Sequence, residues 1–267
     1  MTDLPLGSRK GEAQMELGIL GPLQVLDEGV CVKIPGEKLR AIVAVLALSP
    51  GRPVSRNELI DELWGEQPPR NAENSLHGHI ARLRRVLEAR TGKRSLREVV
   101  ETSTSGYALT APELEVDAAR FEELVHHAEI VEEREPERAA ELLTEAVGLW
   151  RGPALVDTGQ GVICRMAYTR LQQTRIAACE RLFDARLKLN QHRSVIPELE
   201  QMHAMNPFHE RFCEQLITAL YRSGRQADAL DAYNQMCERL SHSLGLDPGR
   251  ELRDKFYGIL RQDPALL

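Results

Sequence analysis

The sequence predicts two domains of different class, an α+β domain followed by an all-α domain. The first is predicted by four apolar residues at helical spacing and by a β-branched run with a tight turn soon after them. The four apolar residues are Leu76, Ile80, Leu83 and Leu87. The second is predicted by a long series of helical segments, two of which superpose after a shift of 34 residues. A chain of 267 residues is long enough to form both domains.

The α+β domain is expected to begin after a polar stretch, residues 1–14, which we interpret as a disordered extension. Residues 17–25 and 30–34 are short apolar segments separated by glycine, proline and acidic residues, and they predict a small antiparallel sheet. Residues 37–48 carry apolar residues at helical spacing, and Pro50 and Gly51 follow them. This pattern predicts the first helix.

A second helix is marked by a local signal at its start. Ser55 precedes Glu58 by three residues, which is the spacing of a capping box. The helix is predicted over residues 56–64, because Gly65 and two prolines follow it. Asn71 then stands as a favourable N-cap for the third helix, which carries the apolar stripe.

The side of the third helix opposite the apolar stripe combines amide, small and guanidinium groups. Asn and Arg side chains match the hydrogen-bonding edges of adenine and guanine in the major groove, and a glycine lets the backbone approach DNA closely. We therefore interpret this element as a recognition helix, with Asn74 and Arg85 as the foremost candidates. The alternative is a solvated surface helix whose arginines pair with Glu88. The candidate DNA-binding residues on the helix are Asn74, Ser75, His77, Gly78, Arg82, Arg84 and Arg85.

Charge is distributed unevenly along the chain. Residues 70–97 hold eight basic and two acidic residues, although the whole chain has a net charge of −6. Residues 15–110 carry a net charge of +1 and residues 111–267 a net charge of −7. Since phosphate would repel the acidic part, contact with DNA is expected from the first domain alone.

A hairpin is predicted directly after the basic stretch. Residues 99–102 are mostly β-branched, and a Ser-Thr-Ser-Gly turn leads into residues 107–109. A helix followed by such a hairpin, or wing, is the arrangement of winged helix-turn-helix domains. Basic groups before the hairpin and hydroxyl groups at its tip are candidate contacts to DNA phosphates. They are Lys93, Arg94, Arg97, Thr102, Ser103, Thr104 and Ser105.

Residues 112–267 are predicted to be helical throughout. The predicted helical segments are residues 117–133, 136–150, 162–190, 192–205, 210–223, 226–242 and 248–260. The shift of 34 residues superposes Leu182 on Leu216 and Val195 on Ala229, which matches the period and residue types of tetratricopeptide repeats. A divergent earlier copy is suggested around Ala139, so three stacked helical hairpins would share one core.

The element order and several sequence phrases resemble one known family. The phrases are I-L-G-P-L-Q-V, K-L-R-A-I-V-A-V-L-A-L, V-S-R-N-E-L-I-D-E-L-W-G, N-S-L-H-G-H-I-A-R-L-R-R-V-L, S-G-Y-A-L, W-R-G-P-A-L, L-Y-R-S-G-R-Q-A-D-A-L-D-A-Y and L-G-L-D-P-G-R-E-L. Together they resemble the Streptomyces antibiotic regulatory proteins. That resemblance implies an OmpR-type winged helix in residues 15–111 and a bacterial transcriptional activation domain in residues 112–267.

The resemblance also implies a function and partners. A protein of this kind would activate a secondary-metabolite gene cluster by binding direct repeats in double-stranded promoter DNA as a homodimer and holding RNA polymerase holoenzyme with its sigma factor. In related winged helices the loop before the recognition helix contacts the polymerase, and a simple turn is the alternative. The candidate residues of this loop are Gly65, Glu66, Gln67 and Arg70. The wing departs from the family pattern, since Ser103 and Ala108 stand where relatives often have arginine.

Other function classes find little support in the sequence. No apolar run is long enough for a membrane span, and residues 1–14 lack the apolar region of a secretory signal, so a cytoplasmic protein is expected. The five cysteines show no C-x-x-C spacing and are interpreted as reduced core thiols, and we expect neither metal nor cofactor. Phosphate-loop and hydrolase motifs are missing, which argues against an enzyme. The remaining alternative is a tetratricopeptide-type interaction scaffold with a vestigial DNA-binding domain.

Overall fold

The structure is a computed structural model that describes residues 15–88, 99–110, 114–159 and 161–263. The first strands form part of a mixed four-stranded sheet. Strand β1 (Met15–Gly18) pairs antiparallel with β2 (Gln24–Asp27), which pairs antiparallel with β3 (Val30–Cys31). Strand β7 (Leu114–Val116) lies parallel to β1 on its other side. The three antiparallel strands confirm the predicted sheet. The fourth strand was not predicted, because three residues show no recognisable periodicity.

Three helices follow the first strands. They are α1 (Glu37–Ala47), α2 (Arg56–Trp64) and α3 (Ala72–Glu88). The predicted capping box is confirmed: Glu58 N donates to Ser55 Oγ over 3.2 Å, and Ser55 N donates to Glu58 Oε2 over 2.9 Å. Helix α3 begins directly after Asn71, as predicted. The four stripe residues of α3 are each 2% exposed or less, so this face lies in the core.

The predicted hairpin is formed by β5 (Val100–Thr102) and β6 (Gly106–Leu109). Strand β6 also pairs with a short strand, β4 (Val54–Ser55), that precedes α2. A Cβ atom at Gly106 would lie 1.9 Å from the carbonyl oxygen of Val54. Only glycine fits here, and the hairpin is held against the start of α2 by this close approach.

The predicted helical segments of the second half are all helices. They are α4 (Asp117–Val131), α5 (Pro136–Gly148), α6 (Val162–Lys188), α7 (His192–Met205), α8 (Glu210–Arg222), α9 (Gln226–Leu244) and α10 (Arg250–Leu260). The core among the later helices is rich in large apolar residues, with Phe183 and Phe212 in edge-to-face contact at its centre. The tetratricopeptide-repeat relationship remains a prediction. No helix in the described ranges is long and apolar enough to span a membrane.

Backbone contacts divide the chain into two compact units. Of the described residues, one unit comprises those in 15–123 and 148–174, and the other comprises those in 124–147 and 175–263. The unit that contains the winged helix includes residues beyond 111. The domain boundary at residue 111 remains a prediction. The four-stranded sheet includes β7, which follows Ala111 in the chain.

The W-R-G-P-A-L loop is bonded to the turn between β1 and β2. Arg151 N donates to the carbonyl oxygen of Leu20 over 2.8 Å, and Leu155 N donates to that of Ile19 over 2.9 Å. The Asp117 carboxylate accepts from Ile19 N over 2.7 Å and from Leu20 N over 3.0 Å, and it also binds Arg151 Nη2 at 2.9 Å. Two phrases that carry the family resemblance, I-L-G-P-L-Q-V and W-R-G-P-A-L, are thus parts of one packed structure.

A buried carboxylate joins α2 to the start of α6. Glu62 is only 6% exposed. Its Oε2 accepts from Ile163 N over 2.7 Å and its Oε1 accepts from Cys164 N over 3.2 Å. Glu62 therefore caps a helix that begins about a hundred residues later in the chain, where the positive end of the helix dipole favours a carboxylate. A Cβ atom at Gly161 would lie 2.0 Å from Glu62 Cδ, so the glycine makes this approach possible.

The cysteines match their prediction in part. Cys164, Cys179 and Cys213 are buried free thiols, and burial raises the pKa of Cys179 to about 11. Cys31 is exposed in the short edge strand β3, which corrects its interpretation as a core residue. An edge strand of two residues offers its side chains little to pack against.

Candidate nucleic-acid interface

Helix α3 presents a continuous polar surface on the side opposite its buried stripe. Asn74, His77, Gly78, Arg82 and Arg85 are all exposed. Apart from its chain neighbours and the adjacent backbone of α3, no atom lies within 4 Å of a Cβ added at Gly78, so Gly78 lies on the open side of the helix. The helix axis is fixed by the buried stripe, and the same packing fixes which residues face outward. The predicted groups are therefore brought together on one accessible face.

The arginines of this face are available for an external partner. Among the residues that the structure describes, neither Arg82 nor Arg85 forms an ion pair. Arg85 Nε makes a long contact of 3.4 Å to the carbonyl oxygen of Ala81. The Arg85 side chain is exposed, so its guanidinium is accessible from solvent.

Arg84 has a different environment from the other two arginines. Its Nε and Nη2 donate to the carbonyl oxygen of Val100 over 3.0 and 2.6 Å, and Nη2 also donates to Thr102 Oγ1 over 2.7 Å. The guanidinium thus ties α3 to the first strand of the hairpin. Arg84 and Thr102 were both predicted as DNA contacts, but the structure shows them bonded to each other. They position the hairpin relative to the helix.

Some of the hydroxyl groups at the hairpin tip form hydrogen bonds within the tip itself. Gly106 N donates to Ser103 Oγ over 3.1 Å, and Ser103 N donates to the carbonyl oxygen of Gly106 over 2.9 Å. The hydroxyls of Ser103 and Ser105 are 3.0 Å apart. Thr104 and Ser105 are exposed, whereas Ser103 is half-buried. Thr104 is consequently the hydroxyl of the tip best placed for an external contact.

Two other predicted residues of α3 also have partners within the domain. Ser75 is half-buried, and its Oγ donates to the carbonyl oxygen of Asn71 over 3.0 Å. The exposed His77 ring lies edge-on to the buried Tyr107, with centroids 6.4 Å apart. Ser75 stabilises the first turn of α3, and His77 borders the hairpin. The basic residues Lys93, Arg94 and Arg97 lie outside the described residues.

The loop between α2 and α3 is exposed at each predicted residue, namely Gly65, Glu66, Gln67 and Arg70. Its base is held by Trp64, whose ring lies 4.4 Å from Lys38 Nζ and 5.9 Å from the His79 ring. Burial, together with the charges of Lys38 and Arg82, lowers the pKa of His79. The loop therefore has a packed base and an exposed tip.

Residues that the sequence reasoning missed are those that position this surface. Glu62 and Asp117 make hydrogen bonds to residues about a hundred positions away. The sequence does contain a signal for Glu62. This acidic residue follows the fully buried Leu59 by three positions, so both lie on the inner side of α2. An acidic residue on a buried helix face requires a partner, because an unpaired buried charge is costly.

Gly78 allows a direct test of which face of α3 meets DNA. Gly78→Leu should raise the free energy of unfolding by about 0.8 kcal/mol, because glycine is a poor helix former and the added side chain meets open space. DNA affinity should fall by about tenfold or more, since the larger side chain would separate the helix from the groove. Thermal unfolding and titration with labelled DNA measure the two effects. Gly78→Ala is the matched control, and we expect it to gain stability while keeping most of its affinity.

Comparison with known proteins connects this geometry to a family. Residues 116–260 match the family described as bacterial transcriptional activator domain. Residues 35–109 match the family described as transcriptional regulatory protein, C terminal. The first match covers the helices from α4 to α10, and the second covers α1, α2, α3 and the hairpin.

Individual relatives extend over nearly all of the chain. Transcriptional regulator RedD of Streptomyces coelicolor is 40% identical over 252 residues, which cover 94% of this chain and 72% of RedD. Regulatory protein DnrI of Streptomyces peucetius is 34% identical, with 94% of each chain covered. The solved structure of Mycobacterium tuberculosis EmbR in complex with a low affinity phosphopeptide superposes with a TM-score of 0.85 at 34% identity. That match covers 95% of this chain but 66% of the EmbR chain.

The fold and these matches define a transcription regulator built from an OmpR-type winged helix and a bacterial transcriptional activator domain. The chain belongs to the Streptomyces antibiotic regulatory protein family. Its relatives and matching domains are transcription regulators and not enzymes.

Proposed function

We propose that this protein is a sequence-specific activator that places the exposed face of α3 in the major groove of promoter DNA. The observation that carries the proposal is the set of exposed groups Asn74, Arg82 and Arg85 around Gly78, on a helix whose opposite face is buried. Asn74 lies in the first turn of α3, the part of a recognition helix that usually reaches base edges. Arg85 is assigned to guanine and Asn74 to adenine, since these pairs form two hydrogen bonds each.

Contacts to phosphate would fix the register of the helix in the groove. Thr104 and Ser105 at the hairpin tip are exposed donors for one strand. Arg56 is the first residue of α2 and adds a further basic group to this unit. Lys93, Arg94 and Arg97 complete this set on the grounds of sequence. Arg84 and Thr102 contribute by holding the hairpin in place.

Two copies would act together at each promoter. One recognition helix covers a few base pairs, so selection among many competing genomic sites requires more contacts than one copy supplies. The family resemblance implies direct repeats, which two copies occupy in the same orientation. The exposed loop at residues 65–70 is assigned to RNA polymerase holoenzyme, and the target is a secondary-metabolite gene cluster. A regulator of this kind works beside the chromosome, in the cytoplasm.

Footprinting on the promoters next to its own gene, followed by transcription with purified polymerase holoenzyme, tests the proposal. We expect protection of direct repeats and stimulated transcription from the same fragments. The loop variant Glu66→Ala/Gln67→Ala should keep the footprint and lose most of the stimulation. Glu238→Ala/Gln235→Ala alters the same residue types on the exposed side of α9 and serves as the control. An unprotected promoter set would reject the DNA-binding function, and full stimulation by the loop variant would reject the polymerase contact.

A further inference from the structure

Helix α2 is held differently at its two ends. Its start is fixed by the capping box and by the pairing of β4 with β6. The buried residues of the helix are Leu59 and Glu62. After Glu62, the side chains of Leu63 and Trp64 are half-buried. The buried group nearest the end of α2 is thus a carboxylate. Because a buried carboxylate is costly without partners, the position of this end depends on what Glu62 contacts.

Both oxygens of Glu62 are bonded to the first turn of α6. Oε2 accepts from Ile163 N over 2.7 Å, and Oε1 accepts from Cys164 N over 3.2 Å. Burial and the neighbouring Glu62 raise the pKa of Cys164 to about 12, so this thiol stays protonated and adds no second negative charge. Gly161 leaves room for the carboxylate, since a Cβ atom there would overlap Glu62 Cδ. A carboxylate bonded at both oxygens cannot shift without losing a bond, so the contact fixes the end of α2 on α6.

The loop at residues 65–70 begins directly after this anchored end. Gly65 N donates to the carbonyl oxygen of Asp61 over 2.8 Å, and Gln67 N donates to that of Trp64 over 3.1 Å. These bonds tie the first residues of the loop to the last turn of α2. A movement of that turn would therefore carry the loop with it.

The start of the loop and the first turn of α6 border the same space. Glu62, Gly65, Val162 and Arg165 all line one cavity of about 360 Å³. Gly65, Val162 and Arg165 are exposed, whereas Glu62 is buried. The loop and α6 are thus neighbours, and the Glu62 contact sets the distance between them.

Helix α3 is held by contacts that do not involve Glu62. Its four stripe residues are each 2% exposed or less. Arg84 bonds the helix to the hairpin through the carbonyl oxygen of Val100. Loss of the Glu62 contact should therefore free the end of α2 and the loop more than it disturbs the polar face of α3.

We propose that Glu62 is a positioning residue for activation, which holds the end of α2 on α6 and thereby presents the loop at residues 65–70 to RNA polymerase holoenzyme. The inference rests on the proposed function, since the polymerase contact is part of it. A loop that is held in its bound conformation beforehand binds more tightly, because less conformational freedom is lost on association. Glu62 thus serves activation, and the polar face of α3 serves DNA binding.

Glu62→Ala tests the proposal in transcription with purified polymerase holoenzyme. Promoter affinity should stay within about twofold of the unaltered protein, while stimulation at full promoter occupancy should fall by about tenfold, since the freed loop must be ordered on binding. Full occupancy compensates for any loss of folded protein, so a merely structural role would leave stimulation unchanged. Glu62→Gln keeps one acceptor oxygen and should give an intermediate loss. Glu210→Ala is the matched control, because Glu210 Oε2 likewise accepts from a backbone nitrogen, that of Gly249, over 2.6 Å at the start of α10. It should change neither quantity.

Gly161→Ala breaks the same contact from the other side. The added methyl group would take the space of the carboxylate, so stimulation should fall as in Glu62→Ala. Combining the two changes should cause no further loss, since both remove one contact. Hydrogen exchange gives a readout without polymerase. The amides of Gly65 and Ile163 should exchange about tenfold faster in each variant, while that of Leu83 in α3 should keep its rate.

Full stimulation by Glu62→Ala at full occupancy would overturn the proposal. A parallel loss of promoter affinity and stimulation would also overturn it, since Glu62 would then support the whole unit. Additive losses in the combined variant would reject the shared contact. If Glu62→Ala does not fold, Glu62→Gln and Gly161→Ala decide the same question. If the loop variant Glu66→Ala/Gln67→Ala keeps full stimulation, the proposed polymerase contact fails instead, and the two failures remain distinct.

Discussion

A fragment that ends at Ala111 is expected to lose most of the stability of the winged-helix unit. Removing the following residues deletes β7, which pairs with β1 at three residues. It also removes the Asp117 carboxylate from the backbone nitrogens of Ile19 and Leu20. Hydrogen bonds to a charged acceptor contribute about 1.5 to 3 kcal/mol each. The two hydrogen bonds would be lost, and Ile19 and Leu20, which are fully buried, would be exposed. Together these changes would remove much of the free energy of unfolding of a small domain.

Tryptophan fluorescence provides the measurement. Trp64 is the single tryptophan of the fragment, and a full-length Trp150→Phe variant gives a reference with the same reporter. We expect the fragment to unfold at a much lower urea concentration than this reference. Full-length Asp117→Ala should fall between them, with about 3 kcal/mol lost. An equal midpoint for fragment and reference would show that residues 114–123 and 148–174 add nothing to the stability of the winged helix.

A half-turn insertion between direct repeats is expected to reduce binding of two copies by roughly 100-fold, the lower end of the gain from joined binding events. About five added base pairs rotate one site to the opposite side of the duplex, so neighbouring copies no longer meet. Insertion of a full turn of about 10 base pairs returns that site to the same side of the duplex as the other and should recover part of the affinity. Titration with the three duplexes measures this. Undiminished affinity after the half-turn insertion, or tighter binding to inverted repeats, would exclude the tandem arrangement.

Local signals in the sequence were sufficient for most of the elements. Ser55 and Glu58 specify the start of α2 through contacts three residues apart, and the α3 stripe specifies its buried face through helical periodicity. Proline and glycine between the later helices marked their ends. Such signals depend on neighbouring residues, so they can be recognised without knowing the tertiary structure.

The contacts that join distant segments could not be predicted in this way. Asp117 bonds Ile19 and Leu20 across nearly a hundred residues, and neither partner carries a pattern that points to the other. The position of Arg84 is a similar case. Helical periodicity places it on the flank of the polar face, but only the register of the hairpin shows that its guanidinium reaches Val100. Asn74 and Arg85 were found by chemistry and spacing, and their role in base contact remains a prediction.

Binding of Arg85→Ala to a set of duplexes, each with one base pair of the repeat changed, tests the central claim most directly. Arg85 is exposed and far from the core contacts, so the variant should fold normally. Affinity for the preferred sequence should fall by about 1 to 3 kcal/mol, or about 5- to 150-fold, and preference at one base pair should disappear while it persists elsewhere. An equal loss on every duplex would identify Arg85 as a phosphate contact. Unchanged affinity and an unchanged preference profile would contradict the assignment of α3 as the recognition helix.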